Sequence, residues 1–206
     1  MIAIVDYKAG NLTSVRLAFD ALKAETVVTR DPAVVRSAER VVFPGVGAAA
    51  SAMANLRELG LEDAVKEAAV SGKPFLGICL GMQILFEHSE EDGGVGTLGV
   101  VPGRVRRFPD VPGFKVPEIG WNQVEASPAA TKGESGRQPA AGGLRGEYYF
   151  VHSYYAELSP YTAGTTEYAG VKFTAMVKKG NLWATQFHPE KSGRLGLELI
   201  KEWLAC

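Results

Sequence analysis

The 206-residue sequence lacks any apolar run long enough to cross a bilayer, which sets aside a helical membrane protein. Net charge is nearly absent: 22 Lys and Arg against 23 Asp and Glu leave −1. No overall field is therefore available for nucleic acid or an anionic membrane surface, and neither is expected as a partner. Only two cysteines occur, Cys79 and Cys206, far apart in sequence. That excludes a disulfide framework and points to a reducing, cytoplasmic setting. Histidines number three, and no metal-ligand spacing occurs, so neither a metal nor an organic cofactor is expected. The opening Met1-Ile2-Ala3-Ile4-Val5-Asp6 has no basic lead and is too short for a signal peptide. It reads as a buried strand. No internal repeat or domain boundary is visible, so residues 1–206 read as one domain. What is plentiful is apolar side chain, 46% of the chain, enough for a substantial core.

Short apolar runs alternate with helical periods through the first half. Strands are expected at Ile2–Val5, Thr26–Thr29, Arg40–Phe43 and Pro74–Ile78. Between them, Leu12, Val15, Phe19 and Leu22 recur at helical spacing with Asn11 placed as a cap. Further helices are expected over Ala48–Leu59, over Leu61–Ser71 with Gly72 as its stop, and over Leu80–His88. Strand-helix alternation predicts a mostly parallel sheet with helices on both faces. From Leu98 to Gln186 the chain turns to β-branched and aromatic residues with Gly and Pro at the joints, which predicts additional, partly antiparallel strands. A last helix is expected over Gly193–Leu204, with Leu195, Leu199, Ile200 and Trp203 on one face. The 126–146 stretch is rich in Pro, Gly, Ser and Ala without apolar period and reads as a mobile surface loop.

Chemistry concentrates at Gly77-Ile78-Cys79-Leu80-Gly81, a cysteine between a strand and a helix with a glycine two residues to each side. This is the cysteine form of the Gly-x-Ser-x-Gly elbow. The helix end beside the sulfur favours thiolate, and the Leu80 N–H is placed to stabilise an oxyanion. The competing reading is a buried cysteine acting as a small apolar side chain. A nucleophilic cysteine needs a base. His88 falls late in the expected helix, and His152 ends an aromatic strand, where a structural polar role is expected. His188 follows the run Leu182–Phe187, at a strand end where open parallel sheets present reactive groups. Across an extended His188-Pro189-Glu190, Glu190 can fix the imidazole tautomer. A further strand runs into Pro44-Gly45-Val46-Gly47, whose glycines let backbone N–H groups approach a ligand. The same glycines begin Gly45-Val46-Gly47-Ala48-Ala49-Ala50, a match to a dinucleotide fingerprint that does not follow the first strand and lacks a strand-end acid about twenty residues on.

Together, Pro44–Gly47, Gly77–Gln83 and His188-Pro189-Glu190 resemble the class I glutamine amidotransferases. Asp6-Tyr7, Gly10-Asn11, Gly120-Trp121-Asn122, Tyr149–Tyr154, Gly164–Tyr168 and Gln186–Ser192 resemble more narrowly the glutaminase subunits of imidazole glycerol phosphate synthases. The resemblance implies a flavodoxin-like α/β/α fold, a Cys79-His188-Glu190 triad working through a glutamyl thioester, and an oxyanion hole around Gly47 and Leu80. It implies glutamine held by Gln83 and by main chain near Gly45, Ser153 and Tyr154. The implied partner is a (β/α)8 cyclase subunit that receives ammonia, with Trp121, Tyr149 and Lys191 near the boundary. Two departures stand out. Glu118 lies in Pro117-Glu118-Ile119-Gly120-Trp121-Asn122, where the family usually has histidine. Lys8 stands where a small residue is usual. Both are expected near the partner face.

Overall fold

The computed structural model describes residues 1–8, 11–127 and 144–206. Its first half runs β1 (Ile2–Val5), α1 (Leu12–Ala21), β2 (Thr26–Thr29), α2 (Pro32–Ser37), β3 (Arg40–Phe43), α3 (Ala49–Glu58), α4 (Glu62–Val70), β4 (Phe75–Ile78) and α5 (Leu80–Gln83). Then come β5 (His88–Ser89), β6 (Val95–Gly96), β7 (Arg104–Arg107), β8 (Glu118–Ala126), β9 (Gly146–His152), β10 (Tyr154–Ala156), β11 (Thr162–Tyr168), β12 (Val171–Lys179), β13 (Leu182–Thr185) and α6 (Gly193–Leu204).

A nine-stranded sheet has the order β2-β1-β3-β4-β13-β12-β11-β8-β9. From β2 to β13 every neighbour pairs in parallel. That segment has the doubly wound order of flavodoxin-like sheets, with β13 as its fifth strand. From β13 outward the pairings are antiparallel. A second sheet, β10-β7-β5-β6, packs beside it.

Side chains alternate across each parallel strand and so feed two separate cores. Ala3, Val5, Val41, Phe43, Phe75 and Ala184 pack against Val35 of α2, Met53 and Leu56 of α3, and Val65 of α4. Ile2, Ile4, Val42, Leu76, Ile78 and Trp183 face the other way, toward Phe19 of α1 and Leu199, Ile200 and Trp203 of α6. Trp203 and Phe19 meet edge-on at 5.9 Å. Such strands are apolar on both faces because both faces are covered by helices.

Local details depart from expectation in three places. The helix after Cys79 stops at Gln83 instead of reaching His88. The carbonyls of Ile84, Leu85 and Phe86, which would continue it, accept instead from Leu98, Val100 and Gly99 N–H groups at 2.8 Å. His88 consequently lies in β5, not at a helix end. Asn11 occupies the N-cap position of α1, but its backbone is left-handed and its side chain makes no cap bond. Its Nδ2 points to Glu190 Oε1 at 3.5 Å. Periodicity alone does not reveal α2, although Asp31-Pro32 is an N-cap followed by proline at N1, and the Asp31 side chain accepts from the Ala33 N–H at 2.8 Å. Glu118 is 3% exposed, buried beside the exposed Ile119 of β8. Most of the 126–146 stretch expected as a loop, and Gly10, lie outside the described residues.

Candidate active site

Three adjacent parallel strands, β3, β4 and β13, deliver the three sequence motifs to one edge of the sheet. Pro44–Gly47 leaves β3, Cys79 leaves β4, and His188 follows β13. Register sets them side by side: Phe43 pairs with Gly77 and Thr185 with Ile78. The Cys79 N–H extends the ladder by donating to the Thr185 carbonyl at 2.7 Å.

At Cys79 the chain turns sharply, with φ 53° and ψ −109°. A positive φ on a residue with a Cβ is strained, and it throws the side chain out of the sheet at the start of α5. The flanking glycines serve close approach. A Cβ on Gly81 would lie 2.0 Å from the Phe43 carbonyl oxygen, and one on Gly77 would lie 2.9 Å from the Gly81 oxygen. Leu80 is the first residue of α5, so its N–H has no helical acceptor. Gly45 passes over Tyr7, whose hydroxyl would sit 2.6 Å from an added Cβ. Tyr7 stacks on Phe43 at 5.0 Å. Burial, and then the nearby Cys79 charge, push the Tyr7 phenol well above its usual range. Gly47 has φ 100°, with open space where a side chain would be.

His188 Nδ1 lies 2.7 Å from Glu190 Oε1, and both side chains are buried. The link between them is a 3₁₀ turn over Pro189–Lys191 and not an extended segment. The His188 backbone is pinned as well. Its N–H donates to the Tyr149 carbonyl at 2.9 Å, and its carbonyl accepts from Ser192 Oγ at 2.6 Å. With Nδ1 committed to Glu190, Nε2 is the nitrogen left for the thiol. Burial works against charge on the ring. The Cys79 charge and hydrogen bond, followed by those of Glu190, outweigh it and push His188 up to about 10.

A cavity of about 270 Å³ opens above the sulfur. Among its lining residues are Gly47, Cys79, Leu80, Gln83, Ser153, Tyr154 and His188, so most residues expected to surround the substrate meet there. Gly45 packs close to Tyr7, Leu80 and Gly81, and Glu190 stands behind His188. Trp121, Tyr149 and Lys191 are outside the cavity and form a cluster of their own. The Trp121 and Tyr149 rings meet edge-on at 6.2 Å, and Lys191 Nζ lies 5.8 Å from the Tyr149 ring.

Two contacts at this site, one behind the cavity wall and one within it, carry no local signal in the sequence. Gln186 is fully buried and donates from Nε2 to Cys79 Sγ at 3.7 Å. Its Oε1 accepts from Gln83 Nε2 at 3.1 Å, and the same Gln83 nitrogen donates to the Tyr154 carbonyl at 2.7 Å. Glu91 reaches the cavity from the far side and accepts the Ala49 N–H at 2.7 Å. Burial pushes its carboxyl up, the Ala49 N–H pulls against that, and Asp92 adds to the rise. The Glu91 contact also weighs against a dinucleotide site. Pyrophosphate would need the N-terminus of α3, and a carboxylate already occupies it.

A strained cysteine turn between strand and helix, a buried His-Glu pair and a flavodoxin-like sheet agree with the similarity to known proteins. The chain belongs to the class-I glutamine amidotransferase family, whose model matches residues 3–205. It is 47% identical over 206 residues to the imidazole glycerol phosphate synthase subunit HisH of Herpetosiphon aurantiacus, with 99% of this chain and 93% of that protein covered. To the subunit of the same name from Desulfovibrio desulfuricans it is 49% identical over 207 residues, covering 97% and 92%. A crystal structure of a glutamine amidotransferase superposes with a TM-score of 0.74 at 18% identity, covering 100% of this chain and 98% of that one.

Proposed function

We propose that this chain is the glutaminase subunit of an imidazole glycerol phosphate synthase, hydrolysing glutamine to glutamate and passing ammonia to a (β/α)8 cyclase subunit. The cyclase would form imidazole glycerol phosphate and AICAR in histidine biosynthesis, a cytoplasmic process. The likeness to HisH subunits over nearly the whole chain supports the assignment. The observation that carries the chemistry is the strained Cys79 elbow sharing, with a buried His188–Glu190 pair, a cavity sized for an amino acid.

In this mechanism His188 holds the proton of Cys79, and the thiolate attacks the side-chain amide carbon of glutamine. The oxyanion is met by the Leu80 N–H and by backbone around Gly47. His188 then protonates the departing nitrogen, ammonia leaves, and a water activated by His188 hydrolyses the glutamyl thioester. Glu190 keeps the imidazole oriented. At the other end of the substrate, Glu91 is matched to the α-ammonium group. Both Nε2 hydrogens of Gln83 are used within the cavity wall, which leaves its Oε1 to accept from substrate. Backbone groups of Ser153 and Tyr154 complete the wall.

A separate glutaminase subunit suits a nucleophile that water would spoil. Ammonia released into solvent is held as ammonium, which cannot attack, so a protected passage to the partner preserves it. Ile119 and Trp121 on β8, 63% and 55% exposed, form with Tyr149 and Lys191 the apolar surface proposed to meet the cyclase. Replacing Cys79 by alanine tests the catalytic reading. Glutamate release should fall by about 10³-fold or more while the urea midpoint stays within the range of the parent. Turnover that survives the substitution would overturn it.

A further inference from the structure

Glu118 and His152 are directly opposed in the β8–β9 ladder, and both are buried. Glu118 Oε2 lies 3.1 Å from His152 Nε2, and Glu118 Oε1 accepts from Asn122 Nδ2 at 2.8 Å. The rings of Phe108, Phe150 and Phe173 surround the imidazole at 5.3, 5.7 and 5.4 Å. A carboxylate-imidazole pair in an aromatic box is costly to desolvate and contributes little to stability by itself. Its geometry shows what it holds. His152 Nδ1 lies 2.7 Å from the Tyr154 carbonyl oxygen, which can only accept, so Nδ1 carries a proton. That same oxygen receives Gln83 Nε2 at 2.7 Å, and Gln83 continues to Gln186 and so to Cys79 Sγ. His152, Ser153, Tyr154 and Gln83 all line the cavity.

We propose that Glu118 and His152 form a positioning pair for glutamine binding: Glu118 holds the ring of His152 in place, and His152 clamps the Tyr154 carbonyl that orients the Gln83 amide. The proposal rests on the glutaminase reading of the cavity. The pair touches neither the sulfur nor the reacting amide, so it acts on how substrate is held and not on bond cleavage.

The test is steady-state glutaminase kinetics of the assembled enzyme, with the cyclase subunit and its nucleotide ligand present. Glu118→Leu removes the group that holds the imidazole. KM for glutamine should rise on the order of tenfold, what losing one charge-assisted hydrogen bond commonly costs, with kcat within about twofold. Glu118→Gln should rescue most of the loss, because its amide can donate to Nε2 and keep the proton on Nδ1. His152→Phe, which fills the aromatic box without a donor to Tyr154, should reproduce the KM rise and serves if Glu118→Leu does not fold. An unchanged KM in Glu118→Leu and His152→Phe, or a loss confined to kcat, would overturn the pair's role. An unsubstituted enzyme without glutaminase activity would instead overturn the reading on which it rests.

Discussion

At Cys79 the proposed nucleophile and conformational strain sit on the same residue. A φ of 53° costs a residue with a Cβ, and glycine would adopt it freely. Cys79→Gly should therefore be about 1 kcal/mol more stable than Cys79→Ala, measured by urea denaturation, with both inactive. His188 carries a second residue-scale consequence. Against the effect of burial, Cys79 and Glu190 push its pKa up from an ordinary 6.5 to about 10 in the folded chain. Folding raises its proton affinity, so its stabilisation is complete below 6.5 and is lost as pH rises through about 10. In Cys79→Ala the strongest partner of the imidazolium is gone. NMR titration of the ring should then move to lower pH, and an unchanged titration would show that the thiol is not its partner. The residues proposed to react stand out in the sequence because each lies in a local motif at a strand end. Glu91 does not, and neither do the contact of Gln186 with Cys79 or the pairing of Glu118 with His152. Their meaning depends on strand register and on loops that return from elsewhere, which no local spacing encodes.

The elements that build the site depend on close backbone approach. Gly81→Ala would drive a Cβ to 2.0 Å from the Phe43 carbonyl oxygen, a backbone atom that cannot swing aside. The expected loss is about 3 kcal/mol or more, read from the denaturation midpoint. Gly47→Ala meets nothing within 4 Å and faces only its φ of 100°. It should cost about 1 kcal/mol while lowering turnover, because it stiffens the loop beside the sulfur. If the two were equally destabilising, the close packing of α5 under β3 would not be as described. Most elements follow from apolar period, since strands covered on both faces and amphipathic helices leave strong patterns. The short α5 is the instructive exception. Residues 84–88 have helical apolar spacing, but residues 97–101 capture the carbonyls a helix would need, and tertiary hydrogen bonding overrides local preference.

For the molecule as a whole, one strand connects the exposed apolar surface with the candidate active site. In β9, Tyr149 presents its ring beside Trp121 and gives its carbonyl to the His188 N–H, while the Val151 carbonyl lies 3.9 Å from Cys79 Sγ. A partner pressing on Trp121 and Tyr149 would thus have a short route to both His188 and Cys79. Trp121→Ala should weaken association with the cyclase by about 2 kcal/mol and leave the stability of the isolated chain nearly unchanged, as judged by calorimetry and denaturation. The central claim is that this chain is a glutaminase governed by a synthase partner. Its most direct test is glutamate release from glutamine by the purified chain, alone and then with a cyclase subunit loaded with its nucleotide ligand. The account predicts weak release alone and a large rise in the loaded complex, and release that is high alone and indifferent to the cyclase would contradict it.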